Sequence, residues 1–403
     1  MIPYGRQFIS QADIDAVSDI LWSDFLTQGP VVPQFEEAVA HLCGAEYGIA
    51  LNSATSALHV ACIALGLGPG DYLWTSPNTF VASANCALYC GASVDFVDID
   101  SRTYNLDVEK LEEKLKEAAR SKTLPKVVVA VDFAGQPADM RGIYFLSQKY
   151  GFRVIEDASH SIGSRYEKRP TGNCAHADIT IFSFHPVKMI TTGEGGMALT
   201  NDYKLASHMG KIRSHGITRN ANEWNNIEAE PWWYEQQEIG FNYRMTDIAA
   251  ALGLSQLNNL DRSLHRRSEI AATYNYEFSE SPVVLPWQRP DAETSWHLYV
   301  IRVDPVRSRV SRRELYDECR RAEIGVNVHY IPVHWQPIYR KLGFRRGDYP
   351  QAEEYYASAL SLPTRIGIRN RTGPVLCKAM QGQTLSRWLR PTALAPSKVT
   401  VSV

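Results

Sequence analysis

No apolar run in this chain is long enough to cross a bilayer. The longest, such as Val127 to Val131, fall far short of the roughly 20 residues a spanning helix needs. The N-terminus, Met1-Ile-Pro-Tyr-Gly-Arg-Gln7, lacks a charged region followed by an apolar stretch, so no signal peptide is expected. Charge of one sign is also lacking: 42 Lys and Arg face 44 Asp and Glu, for a formal net charge of −2. That balance argues against a nucleic-acid footprint or a polybasic membrane contact. Cysteine is sparse and scattered, at positions 43, 62, 86, 90, 174, 319 and 377. Cys86 and Cys90 can share one helical face, but no matching Cys/His pair follows. They read as buried structural thiols, no metal is expected, and the expected setting is a reducing cytoplasm. Acids are missing from Tyr355 to Val403, where every charge is Arg or Lys and the hydrophobics keep no period. Residues 364–403 are therefore expected to be a divergent, disordered tail; the charges are too dispersed for a nucleic-acid arm.

What is present is a long alternation of strand and helix. Ser10-Gln-Ala-Asp13 fits a capping box before Ile14, Val17 and Leu21, and a second helix is expected from Gln34 to Leu42. Strands are expected at 47–51, 72–75, 93–97, 126–133, 153–156 and 178–183. The helices between them are expected to start near residue 53 and at 80, 108 and 139. Val127 to Val131 is apolar on both faces, as a strand covered by helices on both sides should be. The pattern predicts an α/β fold with a mainly parallel sheet. Trp224 to Trp233 is acidic and aromatic without a period and reads as a long functional loop. Thr246 caps a helical pattern from Asp247 to Leu260, extending toward Phe278. A smaller second unit follows, with strands at 298–303 and 326–330 around a helix from Ser311 to Ala322. The expected division is 1–245, 246–363 and 364–403.

The chemistry concentrates in two stretches. Ile179-Thr-Ile-Phe-Ser-Phe-His-Pro-Val-Lys188 runs into Met189-Ile-Thr-Thr-Gly-Glu-Gly-Gly196. Ser183 and His185 can donate to an anion, and Pro186 with Gly193, Gly195 and Gly196 keeps the segment irregular. A primary amine beside an anion site suits a lysine that forms a Schiff base with pyridoxal phosphate, against the plainer reading of a solvated loop lysine. The second stretch, Val154-Ile-Glu-Asp157-Ala-Ser-His160, ends an apolar run in an acid suited to face a pyridinium nitrogen. Asn52-Ser-Ala-Thr-Ser-Ala57, at a strand-to-helix junction, is either a phosphate cradle or a simple Ser/Thr cap. A nicotinamide dehydrogenase is disfavoured, because Gly66-Leu-Gly-Pro-Gly70 follows a helix and has the wrong spacing.

Six segments in order carry a resemblance: Leu26-Thr-Gln-Gly29, Asn52 to Leu58, Glu156 to His160, Ser183 to Lys188, Gly240-Phe-Asn-Tyr-Arg244 and Val328-His-Tyr330. Over about residues 4–363 the chain resembles the DegT-type nucleotide-sugar aminotransferases, which are fold-type I pyridoxal phosphate enzymes. It looks closest to the PseC-type transaminases. The resemblance implies a large domain with a mainly parallel sheet and a smaller C-terminal α/β domain. It implies that Lys188 binds the cofactor covalently and moves protons, Asp157 pairs with the ring nitrogen and His160 lies near the ring's phenolic oxygen. Phe80 would stack on the ring, while Ala54, Thr55 and Ser183 cradle the phosphate. Asn242 would reach that phosphate from the other subunit of a homodimer with shared active sites. Tyr4, Leu26, Thr27, Gln28, Gly29, Ser56, Asn327, Val328, His329 and Tyr330 would contact substrate. The implied reaction takes the amino group of glutamate to C4 of a UDP-linked 4-keto-6-deoxy-N-acetylhexosamine, on the way to a pseudaminic-type sugar. Amination of a perosamine precursor or a 3-keto sugar, or a regulator that binds the cofactor without turnover, are the alternatives. His215 and His334 are expected to finish hydrogen-bond networks. The periodic last helix usual in the family is absent after Ser361-Leu-Pro363.

Overall fold

A computed structural model describes residues 2–225, 230–308 and 310–364. The predicted tail beyond residue 363 therefore lies, apart from Thr364, outside the described residues. The central sheet has seven strands: β1 (Tyr47–Leu51), β2 (Tyr72–Thr75), β3 (Ser93–Phe96), β4 (Val127–Val131), β5 (Arg153–Asp157), β6 (Ile179–Ser183) and β7 (Gly196–Thr200). Their spatial order is β1-β7-β6-β5-β4-β2-β3, and β7 alone runs against the rest. Val129, Ile155 and Ile181, on the three central strands, are 0% exposed. Full burial of such a side chain contributes about 1.5–3 kcal/mol, so the middle of the sheet is the rigid base of the molecule.

Helices follow the strands as their caps direct. Ser10 and Asp13 form the reciprocal capping box of α1 (Gln11–Leu21), ahead of α2 (Val31–Cys43). Ser53 caps α3 (Ala54–Ala64), which follows β1, and α4 (Ala82–Tyr89) follows β2. Asp107 and Asp139 cap α5 (Val108–Ser121) and α6 (Met140–Tyr150). Neither β7 nor α7 (Tyr203–Ile212) is among the expected elements, although Asp202 caps α7 and Leu205, Met209 and Ile212 fall at helical spacing. Gly196, expected in irregular chain, opens β7, because only glycine lets this strand approach the start of α3. A Cβ there would stand 2.4 Å from the Ala54 nitrogen.

Thr246 caps α8 (Asp247–Leu257), its hydroxyl accepting from the Ala249 N–H at 3.2 Å. The expected continuous helix instead breaks at Asn258-Asn259 before α9 (Leu260–Glu277). Asparagine competes for the backbone with its own amide and favours such interruptions. A second sheet joins β8 (Val283–Val284), β9 (Tyr299–Val303) and β10 (Ala359–Leu362), with α10 (Arg312–Arg321) packed nearby. The strand predicted at 326–330 does not form. Only Asn327 pairs, with Ser361, and the chain then leaves the sheet so that the Tyr330 N–H can donate to Asn78 Oδ1 at 3.3 Å. The N-terminal arm rests on this unit through reciprocal 2.6 Å bonds, Ile2 N–H to Glu323 O and Gly325 N–H to Ile2 O.

Candidate active site

The carboxyl ends of β5 and β6 open on a cavity of about 590 Å³, the usual ligand position in an open α/β sheet. Asp157, the last residue of β5, is 5% exposed. Ser83 Oγ and Ser159 Oγ each donate to its carboxylate at 2.6 Å, and the Ser159 N–H adds a bond at 3.2 Å. Thr79 Oγ1 lies 2.8 Å from Ser83 Oγ. Hydroxyls from two elements thus hold the carboxylate in one orientation at the cavity wall.

Lys188 lies on the turn after β6, where its N–H donates to His185 O at 2.9 Å. That turn is pinned by Phe184, fully buried against Phe35 at 5.1 Å between ring centres. The Lys188 amine makes no hydrogen bond or ion pair among the described residues. Burial lowers its pKa to about 8, against the opposing pull of the Asp157 charge. Roughly a tenth of the amine is therefore the nucleophilic free base at pH 7, far more than for a solvated lysine. Three histidines around it stay neutral. Burial drives His160 and His297 well below the ordinary imidazole value and His329 to about 4, and the nearby Lys188 charge adds to each shift.

The opposite wall is the first turn of α3. Ser53 Oγ accepts from the Ser56 N–H at 3.1 Å, so Ser53 is the cap. Ala54 and Thr55 follow it at the cavity, where the first backbone N–H groups of a helix lack intrahelical partners and favour an anion. Ser183 closes this corner, paired across the ladder with Gly196. Phe80 also lines the cavity, with its ring 58% exposed. A free amine, an oriented buried carboxylate, a helix N-terminus and an exposed aromatic around one cavity fit pyridoxal phosphate: aldehyde, ring nitrogen, phosphate and ring face each have a residue to meet them.

Of the residues expected at the cofactor, Ala54, Thr55, Phe80, Asp157, His160, Ser183 and Lys188 line this cavity. Asn242 does not; it pairs with Ser214 in a separate bridge. On the substrate side Tyr4, Asn327, Val328, His329 and Tyr330 line it, with the Tyr4 and His329 rings 5.4 Å apart. Ser56 does not, because its hydroxyl turns back to Asn52 Oδ1 at 2.6 Å. Leu26, Thr27, Gln28 and Gly29 are also away from the cavity of their own chain. The Asp247 carboxylate ties that loop down, accepting from the Gly29 N–H at 2.8 Å, and Thr27 bridges to Thr246. Sequence reasoning missed Thr79, Ser83, Ser159, Glu194 and His297. Ser159 sits inside a motif already singled out, and Ser83 is a polar residue one turn after Phe80. His334 lies elsewhere, its Nε2 2.9 Å from Glu353 Oε1. Among the described residues no cluster of His, Cys, Asp or Glu is arranged to hold a metal, and no helix is long and apolar enough to cross a membrane.

Fold and cavity together define a pyridoxal-phosphate-dependent transferase. The profile of the DegT/DnrJ/EryC1/StrS aminotransferase family matches residues 7–381, and the chain belongs to that family. It is 40% identical over 364 residues to the UDP-4-amino-4,6-dideoxy-N-acetyl-beta-L-altrosamine transaminase of Campylobacter jejuni, covering 90% of this chain and 92% of that one. Helicobacter pylori PseC, an aminotransferase involved in the biosynthesis of pseudoaminic acid, superposes with a TM-score of 0.85 at 30% identity, over 95% of this chain and 98% of that one. The Streptococcus pneumoniae protein Spr1654, solved in its PMP form, superposes with a TM-score of 0.85 at 28% identity, over 95% and 99%. The protein is a nucleotide-sugar aminotransferase that uses pyridoxal phosphate.

Proposed function

We propose that the enzyme moves the amino group of glutamate to C4 of a UDP-linked 2-acetamido-4-keto-6-deoxyhexose, in the making of a pseudaminic-type nonulosonic acid or a related surface sugar. The observation that carries this reading is the wall facing Lys188. Tyr4, Asn327, His329 and Tyr330 present directional hydrogen-bonding groups to one side of the cavity, as sugar hydroxyl and amide groups require. The similarity to a transaminase named for such a UDP-sugar supports the same substrate class.

Pyridoxal phosphate, when bound, supplies an electron-withdrawing ring that carries nitrogen from donor to acceptor. Lys188 would hold the cofactor and, once released as a free amine, would serve as the base and acid that moves a proton; a pKa of about 8 suits both directions. Asp157, oriented by Ser83 and Ser159, would face the ring nitrogen. The start of α3, with Ser183, anchors the phosphate. His329, neutral and held at Nδ1 by Ser361 Oγ at 2.8 Å and at Nε2 by the Asn327 amide at 3.3 Å, fixes the segment Asn327 to Tyr330 at the side of the cavity proposed for the sugar.

The reading includes a homodimer with shared sites, the large domain ending near residue 245 and the smaller one spanning 246–363. The exposed apolar row Trp22, Phe25 and Leu26, with Trp22 91% exposed, supports a second copy over the loop that carries Leu26 to Gly29. Cys43, Cys62, Cys86, Cys90, Cys174 and Cys319 are unpaired, which supports a reducing cytoplasm.

The test follows the two half-reactions separately by cofactor absorbance. His329→Ala should raise KM for the sugar about tenfold, because a buried partner left unpaired costs roughly 1–3 kcal/mol, while the glutamate half-reaction stays near wild type. Equal damage to both, or faster turnover with a dTDP-linked 3-keto sugar, overturns the substrate and leaves the aminotransferase.

A further inference from the structure

His160 is engaged at both ring nitrogens, and this fixes where a neighbouring proton points. The Ala134 N–H donates to His160 Nδ1 at 3.3 Å, so Nδ1 carries a lone pair. The ring is neutral, because burial and the Lys188 charge disfavour its cation. Its one proton is then on Nε2, 3.2 Å from the Tyr330 hydroxyl oxygen. Nε2–H donates and the phenol oxygen accepts. Tyr330 keeps its own O–H, and that proton has no acceptor among the described residues. Tyr330 lines the cavity, and burial beside Tyr4 and Asp157 raises its pKa, so it stays a phenol. An O–H whose oxygen already accepts from His160, and which has no acceptor among the described residues, is left to donate to a ligand in the cavity that Tyr330 lines.

The support comes from the smaller unit. The His297 ring packs against His160 in a tilted contact, 4.4 Å between centres and 37° between planes. Ser295 Oγ donates to His160 O at 2.8 Å, and the Leu298 N–H donates to Ala134 O at 3.1 Å. Gly135 lets this segment come close, since a Cβ there would stand 2.3 Å from Ser295 Oγ. Buried Arg267 in turn donates to Trp296 O and His297 O at 3.1 and 3.0 Å.

We propose that Tyr330 is a dedicated hydrogen-bond donor to a ligand oxygen over the cofactor pocket, aimed by the chain from Ala134 through His160, and that His297 is the positioning residue that locks this chain. The proposal deepens the aminotransferase reading and does not depend on which sugar is used. It also alters one expectation from the family: His160 has no nitrogen left for the ring's phenolic oxygen, and the donor presented to the pocket is Tyr330. The acceptor is an electron-rich oxygen on a ring, either the cofactor's phenolic oxygen or the ketone oxygen of the sugar.

Tyr330→Phe in the holoenzyme separates these. If the cofactor is the acceptor, the absorption band of the resting enzyme, read before any substrate is added, shifts its pH midpoint by about one unit. If the sugar is the acceptor, that spectrum and the glutamate half-reaction hold, and the sugar half-reaction slows about tenfold. An unchanged resting spectrum with a sugar half-reaction within about twofold of wild type overturns the proposal. Failure of the wild-type enzyme to aminate the UDP-linked 4-keto sugar is a failure of the substrate reading; any keto sugar it does accept then serves that arm. His297→Ala should reproduce the Tyr330→Phe change and add nothing in the Tyr330→Phe background, whereas His297→Phe, which keeps a ring on His160, should restore it. Additive losses in the double variant mean a merely structural His297 and overturn its positioning role.

Discussion

The part of the cavity proposed for the cofactor and the part proposed for the sugar are built differently. Asp157, Ser83, Ser159, Thr79, Ser183 and the start of α3 all belong to the seven-stranded unit, and bonds as short as 2.6 Å hold Asp157 before any ligand arrives. The sugar half is assembled from pieces remote in sequence: the N-terminal arm through Tyr4 and the segment Asn327 to Tyr330. Ser56 and Leu26 to Gly29, the remaining expected sugar contacts, lie outside the cavity of their own chain, as does Asn242, expected at the cofactor phosphate. A rigid cofactor site with a composite substrate site lets one chemistry serve different sugars, because the reacting groups need not move when the specificity groups change.

The strongest way to break this comparison is at the amine. Lys188→Ala should lower turnover by about three orders of magnitude or more, since covalent binding and proton transfer go together. Borohydride reduction and peptide mapping check it, and a pyridoxyl label on another lysine would sink the assignment. The proposed sharing of sites between two subunits is tested by subunit exchange. Asn242→Ala and Lys188→Ala homodimers should each be inactive, while a mixed population regains part of the wild-type activity. No recovery after verified exchange would mean that each chain builds its site alone.

A smaller effect probes preorganisation. Removing Ser83 or Ser159 as a donor to Asp157 costs one hydrogen bond to a charged group, a net loss of about 1.5–3 kcal/mol. Ser83→Ala and Ser159→Ala should each weaken cofactor retention by about tenfold, measured by dialysis and fluorescence, with KM for the sugar little changed. A selective loss of sugar affinity instead would erase the division between halves. The mildest test is pH. Because burial lowers the Lys188 amine from 10.5 to about 8, its free base grows as pH rises through about 8. Reconstitution of apoenzyme with pyridoxal phosphate should accelerate through that range and then level off. A rise postponed toward 10 would mean that the amine is solvated.

Much of this was legible in the linear chain. Val127 to Val131, apolar at every position, can only be a strand covered on both faces, and the Ser10 and Thr246 caps are local chemistry that tertiary context left intact. Lys188 and Asp157 were recognisable because their neighbours are contiguous in sequence. Gly196 was misread as loop because its requirement comes from Ala54, more than a hundred residues away. The strand expected at 326–330 failed for a related reason: its apolar period is real, but Asn78 and Ser361 draw the backbone apart after one pair.

By itself the sequence determined the class of fold, the family and the cofactor, and singled out Lys188 as the amine proposed to hold it, since each depends on local pattern or on short contiguous motifs. Tertiary structure alone decided which hydroxyls hold Asp157, which expected sugar contacts reach the cavity of their own chain, and which way the proton on Tyr330 points. Those outcomes depend on distances between residues far apart in the chain. No periodicity encodes such a distance; only the packing of the arm, the sheet and the smaller unit against one another sets it.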